Sequence, residues 1–318
     1  MSSGPAAVAP AVSVIIATYN RSQPLRHAIR SLCNSSFSDW EAIVVGDACT
    51  DDTAEVVSSF DDPRIVFINL PVRCGDMSGP HNHALPLARG RYAAFLNHDD
   101  FYLPDHLARC VAELESGGAD LVWVPCAVAR PKADPTGDWP FSFALTGVTS
   151  TSEYSPLGTF VASSWVFRRD LAGRVGPWRS PDKMYVVPSQ DWLFRAWRLG
   201  ARLKFLPSVS VIIVQAGGRA GSYARRISAE HDLLAQRLQD DHGCVERILE
   251  EAAVNEAREH FLHHRYPALW SLARRTLLRP VYALLARMGI HPLSLPMAIA
   301  YGRRGGFVRK LRRITGAE

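Results

Sequence analysis

Short apolar runs, each followed by a polar exit and then a helical pattern, organise the first 125 residues. Residues 12–17 read VSVIIA, a β-branched run of the kind buried on both faces of a sheet. Ser22 and Pro24 then open a helical pattern through Leu25, Ala28, Ile29 and Leu32. Residues 41–45 and 64–68 are the next buried runs. Between them Thr50 and Asp51 can cap a helix reaching about Phe60. A helix over 79–88 ends at Gly90, a strand follows over 91–96, and Pro104 starts a helix ending near 116–118. Residues 121–124 make a fifth strand. This alternation predicts an α/β fold with a Rossmann-like, mostly parallel central sheet flanked by helices.

Parallel sheets of this kind bind ligands beyond the carboxyl ends of their strands. The strand exits read Thr18-Tyr19-Asn20-Arg21, Gly46-Asp47-Ala48 and Asn97-His98-Asp99-Asp100. Polar and acidic residues therefore recur where a ligand is expected. No GxGxxG follows the first strand, which argues against a dinucleotide-binding oxidoreductase.

Beyond residue 125 the pattern loosens. Residues 130–160 are rich in Pro, Gly, Ser and Thr, with Trp139, Phe141, Phe143 and Phe160 among them, and read as a long surface excursion. Strands are predicted over 161–167 and 203–214, with a helix over 189–199 stopped by Gly200. From about 226 the pattern is helical. The expected organisation is a disordered stretch over 1–11 and an α/β unit over 12–225. That unit divides into halves at 12–125 and 126–225, and a helical region over 226–318 follows.

Charge separates this last region from the rest. The chain carries a formal net charge of +5, yet residues 263–318 hold eleven Arg and Lys against one acid, Glu318. Arg274, Arg275, Arg279 and Arg287 alternate with Leu, Val, Tyr and Trp. That suits either an interfacial helix on an anionic membrane, or a helical cap or dimer contact with its arginines in water. No nucleic-acid motif accompanies the charge. The best apolar stretch, 280–301, is broken by Arg287, His291, Pro292 and Pro296, so no membrane span is expected. The N-terminus lacks the charged start and long apolar stretch of a signal peptide. The six cysteines form no CxxC pair and read as buried free thiols of a reducing compartment. Together these point to a cytoplasmic protein, peripheral on the inner face of the membrane if the tail binds lipid.

Asp99 and Asp100 follow the run YAAFL directly. Adjacent carboxylates repel, and a hard divalent cation such as Mg²⁺ or Mn²⁺ would neutralise them. A solvated turn before the Pro104 helix is the plainer alternative. Asp47 could accept from a base or a ribose, or simply shape a turn. Tyr19 could face a base, or pack. Asp191 lies in the first turn of its helix if Ser189 is the cap. There it either complements the helix dipole or acts as a general base.

Taken together, these segments resemble glycosyltransferase family 2. VSVIIATYNR looks like that family's first strand and nucleotide loop. IVVGDACTDDT is similar to its V-V-D-D-G-S-x-D-G-T segment, with Gly46, Ala48 and Cys49 in place of Asp, Gly and Ser. PHNHALPLARGRYAAFLNHDD matches A-R-N-x-G-x-x-x-A-x-G-x-Y-I-x-F-L-D-x-D-D at Asn82, Ala88, Gly90, Tyr92, Phe95, Asp99 and Asp100, with Asn97 replacing an Asp. SWVFRRDLAGRVGPW resembles the acceptor-side segment, and Ser189-Gln190-Asp191 stands where many members have Thr-Glu-Asp. The likeness covers residues 12 to about 225.

The resemblance implies a GT-A fold and inverting transfer of a hexose from a nucleotide sugar, UDP-linked by the pattern around Tyr19 and Asp47. It implies donor contacts at Ala17, Thr18, Tyr19, Arg21, Asp47, Asn82 and Asp99. It also implies a Mn²⁺ or Mg²⁺ site at Asp99 and Asp100 and a catalytic base at Asp191. A glycan or lipid-linked acceptor in cell-surface polysaccharide biosynthesis follows by the same analogy; oligomerisation stays open. No Q-x-x-R-W is present, so single addition is implied. The family's His after the last sheet strands is missing from VQAGGRAGSY, where Arg219 or Ser222 could contact the diphosphate instead. The competing class is a non-catalytic nucleotide-sugar-binding or scaffold protein with the same fold.

Overall fold

The computed structural model describes residues 9–132, 140–149, 152–215, 221, 228–241, 243–265, 278 and 280–316, with side chains for all but 259–265. The amino-terminal half alternates as expected. β1 (Val12–Thr18), α1 (Ser22–Cys33), β2 (Trp40–Gly46), α2 (Thr53–Ser58), β3 (Ile65–Asn69), α3 (Ser78–Ala84) and β4 (Tyr92–Phe95) follow in order. Next come β5 (Asp100–Tyr102), α4 (His106–Glu115) and β6 (Leu121–Trp123). α2 begins later than the sequence predicts, because Asp51 Oδ1 accepts from the Thr53 N–H at 3.2 Å and keeps the preceding residues in a turn.

The second half adds β7 (Cys126–Pro131), β8 (Phe141–Thr146), β9 (Trp165–Arg168), α5 (Arg169–Val175), α6 (Pro188–Arg198), β10 (Leu203–Phe205) and β11 (Val211–Val214). α7 (Ala229–Asp240) and α8 (Cys244–Arg265) come next. Residues 280–287 are helical, and two short helices, Ser294–Tyr301 and Gly306–Thr315, end the described chain.

The main sheet has the order β10-β6-β9-β4-β1-β2-β3. All its strands run one way except β9, which pairs antiparallel with β4 and β6. Alternate residues of β1 and β2 feed two cores. Val14, Ile16, Ala42 and Val44 pack with α1 and α4, while Ile15, Ile43 and Val45 pack with α3, α5 and α6. Both faces are thus covered, which is why the sequence reads as continuous apolar runs rather than alternation. Truncating a fully buried residue such as Ile15 to Ala would cost about 2–5 kcal/mol. Gly90 permits the tight approach of β4 to β1: a Cβ there would sit 2.6 Å from the Ser13 nitrogen.

A second sheet, β5-β11-β7-β8, corrects the reading of 130–160 as a surface excursion. Its described part includes β8, whose Phe141 and Phe143 are buried against Ile248 and Ala252 of α8. The Pro, Gly and Ser richness masked an alternating strand. Trp139 lies outside the described residues, as does most of 1–11. All six cysteines are free, but only Cys110, Cys126 and Cys244 are buried; Cys33 and Cys49 are half-buried and Cys74 is exposed. No helix among the described residues is long and apolar enough to cross a membrane.

Candidate functional site

The parallel pairing brings three strand exits to one edge. Thr18 lies opposite Gly46, and the Asp47 N–H donates to the Thr18 carbonyl at 2.8 Å. Ile15 lies opposite Phe95, so the turn 97–100 emerges beside the end of β1. There His98 Nδ1 lies 3.1 Å from the Ala17 carbonyl. A cavity of about 420 Å³ opens at this edge. Ala17, Thr18, Tyr19, Asp47, Asp99 and Asp100 all line it.

Each of these residues is already held by a neighbour. One face of the Tyr19 ring is covered by the Arg73 guanidinium, 3.9 Å from its centroid. Asp47 accepts from the Cys74 N–H at 2.6 Å and the Gly75 N–H at 2.7 Å, one on each oxygen. Its carboxylate therefore pins the loop after β3 against the cavity. Gly75 has φ +79°, a conformation glycine adopts without a Cβ penalty.

The two adjacent acids differ. Asp100 Oδ2 accepts from Ser163 Oγ at 2.5 Å and from Asn97 Nδ2 at 2.8 Å. Burial, with the Asp99 charge beside it, pushes the Asp100 carboxyl up to about 8. Burial also works against the Asp99 anion, yet His98, His231 and Arg21 outweigh it and hold Asp99 below the usual range. Burial keeps both histidines neutral near pH 7, so Arg21 is the lasting cation of the three. Asn97 is thus a donor to Asp100, and an Asp in its place would add a third carboxylate to the turn.

Three expected site residues do not line the cavity. Arg21 is buried behind Asp99. Asn82 clamps Trp178, with Nδ2 donating to its carbonyl at 2.9 Å and Oδ1 accepting from its N–H at 2.8 Å. Asp191 is buried in the first turn of α6, where Arg195 Nε donates to its Oδ2 at 2.8 Å and Arg179 Nη1 lies 3.5 Å from its Oδ1. Ser189 is not the helix cap: α6 starts at Pro188, and Val187 caps it with extended backbone. Val187 and Pro188 do line the cavity, so this helix start faces it.

Several residues here escaped the sequence reading. His231, on α7, places Nε2 3.0 Å from the Asp99 carbonyl and Nδ1 2.6 Å from Ser228 Oγ. A single His in an amphipathic helix carries no sequence signal. Ser163 and Arg73 are equally isolated in the chain. Val308, Leu311, Arg312 and Thr315 of the last helix complete the wall. Arg219 and Ser222 lie outside the described residues. Among the described residues no group of three His, Cys, Asp or Glu side chains gathers as a metal cage.

Over 105 residues, 33% of this chain and 41% of that one, the chain is 32% identical to the UDP-Glc:alpha-D-GlcNAc-diphosphoundecaprenol beta-1,3-glucosyltransferase WfaP of Escherichia coli. It is 34% identical to the GalNAc(5)-diNAcBac-PP-undecaprenol beta-1,3-glucosyltransferase of Campylobacter jejuni over 149 residues, 46% of each chain. The chain therefore spans less than half the length of these two curated relatives. In fold it is similar to the mannosyltransferase PcManGT of Pyrobaculum calidifontis, solved with GDP-Man and Mn²⁺. That match has a TM-score of 0.51 at 20% identity and covers 98% of this chain and 89% of that one. The sheet order and flanking helices are those of a GT-A fold. The sequence model of glycosyl transferase family 2 matches residues 13–176, more than half of the chain, and the protein belongs to that family.

Proposed function

We propose that this chain is an inverting glycosyltransferase that moves a hexose from a UDP-sugar to a hydroxyl of a lipid-linked glycan, in the building of a cell-surface polysaccharide. The observation that carries this reading is the convergence of Tyr19, Asp47 and Asp99 on one cavity at the carboxyl edge of the sheet. The names of the two curated relatives point the same way, one to a UDP-Glc donor and both to undecaprenol-linked acceptors. In this reading residues 12–125 form the donor half, 126–225 the acceptor half and 226–318 a helical region.

Ala17, Thr18 and Tyr19 would seat the base and ribose, and Asp47 would order the loop against them. Asp99 suits a hard cation: its carboxyl is ionised, lies at the cavity wall and has Asp100 beside it. One or two carboxylates plus donor phosphates and water meet the needs of Mg²⁺ or Mn²⁺. Such an ion supplies positive charge to the departing diphosphate. Asp191 would take the acceptor proton. Arg195 Nε holds Oδ2 at 2.8 Å and Arg179 Nη1 reaches Oδ1 only at 3.5 Å, so Oδ1 is the less tightly held oxygen and the one that would accept. Arg21 and Asn82 act behind the site by holding the Asp99 turn and the Trp178 segment.

The carboxy-terminal helices fit a peripheral position on the inner face of an anionic membrane. Leu284, Met288, Ile299 and Ile314 are exposed, with Arg303 and Arg304 also on the surface.

The decisive experiment pairs transfer with binding. Asp191→Asn should lose about 10²–10⁴-fold in transfer to an undecaprenyl-diphosphate-linked acceptor. It should still bind UDP in the presence of Mn²⁺. A wild-type chain that binds no nucleoside diphosphate and transfers no sugar would overturn the reading in favour of a scaffold.

A further inference from the structure

The last helix of the described chain, Gly306–Thr315, forms part of the cavity wall at the donor edge. Its position is fixed at both ends. The Gly305 N–H donates to the Met184 carbonyl at 2.8 Å, and the Gly221 N–H donates to the Ile314 carbonyl at 2.8 Å. Thr315 is buried and Arg312 is half-buried. The Arg312 guanidinium packs on Gly75: a Cβ built there would lie 3.3 Å from Nη1. Among the described residues the Arg312 side chain makes no hydrogen bond or ion pair, although it shares the cavity with Asp47, Asp76 and Asp99.

Two of those acids, Asp47 and Asp76, have other commitments. Asp47 accepts one amide on each oxygen, from Cys74 and Gly75, and Asp76 Oδ1 accepts from the Ser78 N–H at 2.7 Å. The other arginine on the wall, Arg73, lies over Tyr19. A guanidinium held in a cavity with its planar fork of donors unused is a ready partner for phosphate oxygens.

We propose that Arg312 binds the diphosphate of the nucleotide donor, so that the terminal helix completes the donor site. The proposal rests on the cavity being a nucleotide-sugar site. It assigns the cation to the last described helix, Gly306–Thr315. Gly75 leaves room for the guanidinium, and Asp47 holds Gly75 in place.

Binding of UDP, GDP and dTDP, and of the matching nucleosides, should be measured by calorimetry for wild type, Arg312→Ala, Arg312→Lys and Lys310→Ala. Lys310 sits on the exposed side of the same helix, so its loss controls for net charge and helix integrity. Arg312→Ala should weaken the preferred diphosphate by at least about tenfold, as expected for hydrogen bonds to a charged group. Its affinity for the nucleoside should stay unchanged. Arg312→Lys should recover part of the loss, and Lys310→Ala should match wild type. Diphosphate binding by Arg312→Ala that equals or exceeds wild type would overturn the proposal and leave the donor site standing. Equal weakening of nucleoside and diphosphate would reduce Arg312 to a packing role and also overturn it. A wild type that binds none of the three diphosphates would instead remove the donor site itself, and the proposal with it.

Discussion

His231 directs Nε2 to the main-chain carbonyl of Asp99 at 3.0 Å, so a helix from the last third of the chain holds the acidic turn that ends β4. The His231 ring also stacks on Phe101, which itself stacks on His27 of α1. Next to it, Asp232 bonds His27 Nε2 at 2.6 Å. α7 is therefore clamped onto α1 with its histidine inserted behind the site. His231→Ala should lose about 2–4 kcal/mol in urea unfolding, from the buried ring and its two hydrogen bonds. The donor KM should rise about tenfold as the turn loosens. Unchanged unfolding and an unchanged KM would show the contact to be idle.

Ala48 holds φ +59°, a left-handed conformation disfavoured by about 1–2 kcal/mol for a residue with a Cβ. Family 2 sequences commonly have Gly in this place. Ala48→Gly should therefore raise stability by about 1 kcal/mol, a Tm gain of about 2 °C, visible by calorimetry. A lower Tm would mean that the methyl group packs usefully in spite of its backbone.

Asp47→Ala removes the acceptor for two adjacent amides, Cys74 and Gly75. The loop should then leave the cavity wall, taking Arg73 away from Tyr19. Steady-state kinetics should show the donor KM raised at least about tenfold, with a smaller change in kcat. Limited proteolysis should find a new cut between residues 70 and 77. A resistant loop would place the effect in direct donor contact instead.

Two histidines give the fold an acid limit. His81 and His106 are buried, and burial lowers each from the ordinary 6.5 to about 3. Below pH 6.5 the unfolded chain takes up protons that the folded chain excludes. The stability these residues permit is complete above pH 6.5 and falls as pH drops toward 3. At pH 5 each removes about 2 kcal/mol. Together they remove about 4 kcal/mol from a total that is typically 5–15 kcal/mol. Urea midpoints at pH 7.5 and pH 5 should differ accordingly, and His106→Asn should recover part of the difference. A flat profile would mean that water reaches these rings in the folded state.

The amino-terminal half was legible because burial on both faces writes itself into local sequence. The runs at 12–17, 41–45 and 91–96 became β1, β2 and β4 within a residue or two. Their exits met at one edge because parallel pairing leaves them no other place. What was illegible depended on distant pairing. Phe141 and Phe143 read as loop aromatics because their partners, in α8, lie a hundred residues further on. Asp191 could be placed on its helix, where Arg195 sits at the local i,i+4 spacing, but its contact with Arg179, from outside the helix, is a tertiary fact. The same holds for Asn82, whose amide is spent on the Trp178 backbone.

Gly75 and Arg312 meet at the cavity wall from distant parts of the chain. Translation delivers residues from the amino end at about 5–20 per second, and early segments begin to fold as they emerge. A ribosome stopped short of residue 312 would carry a sheet with its acidic exits in register and one wall of the cavity absent. The nascent chain thus has no complete cavity, however quickly its sheet forms.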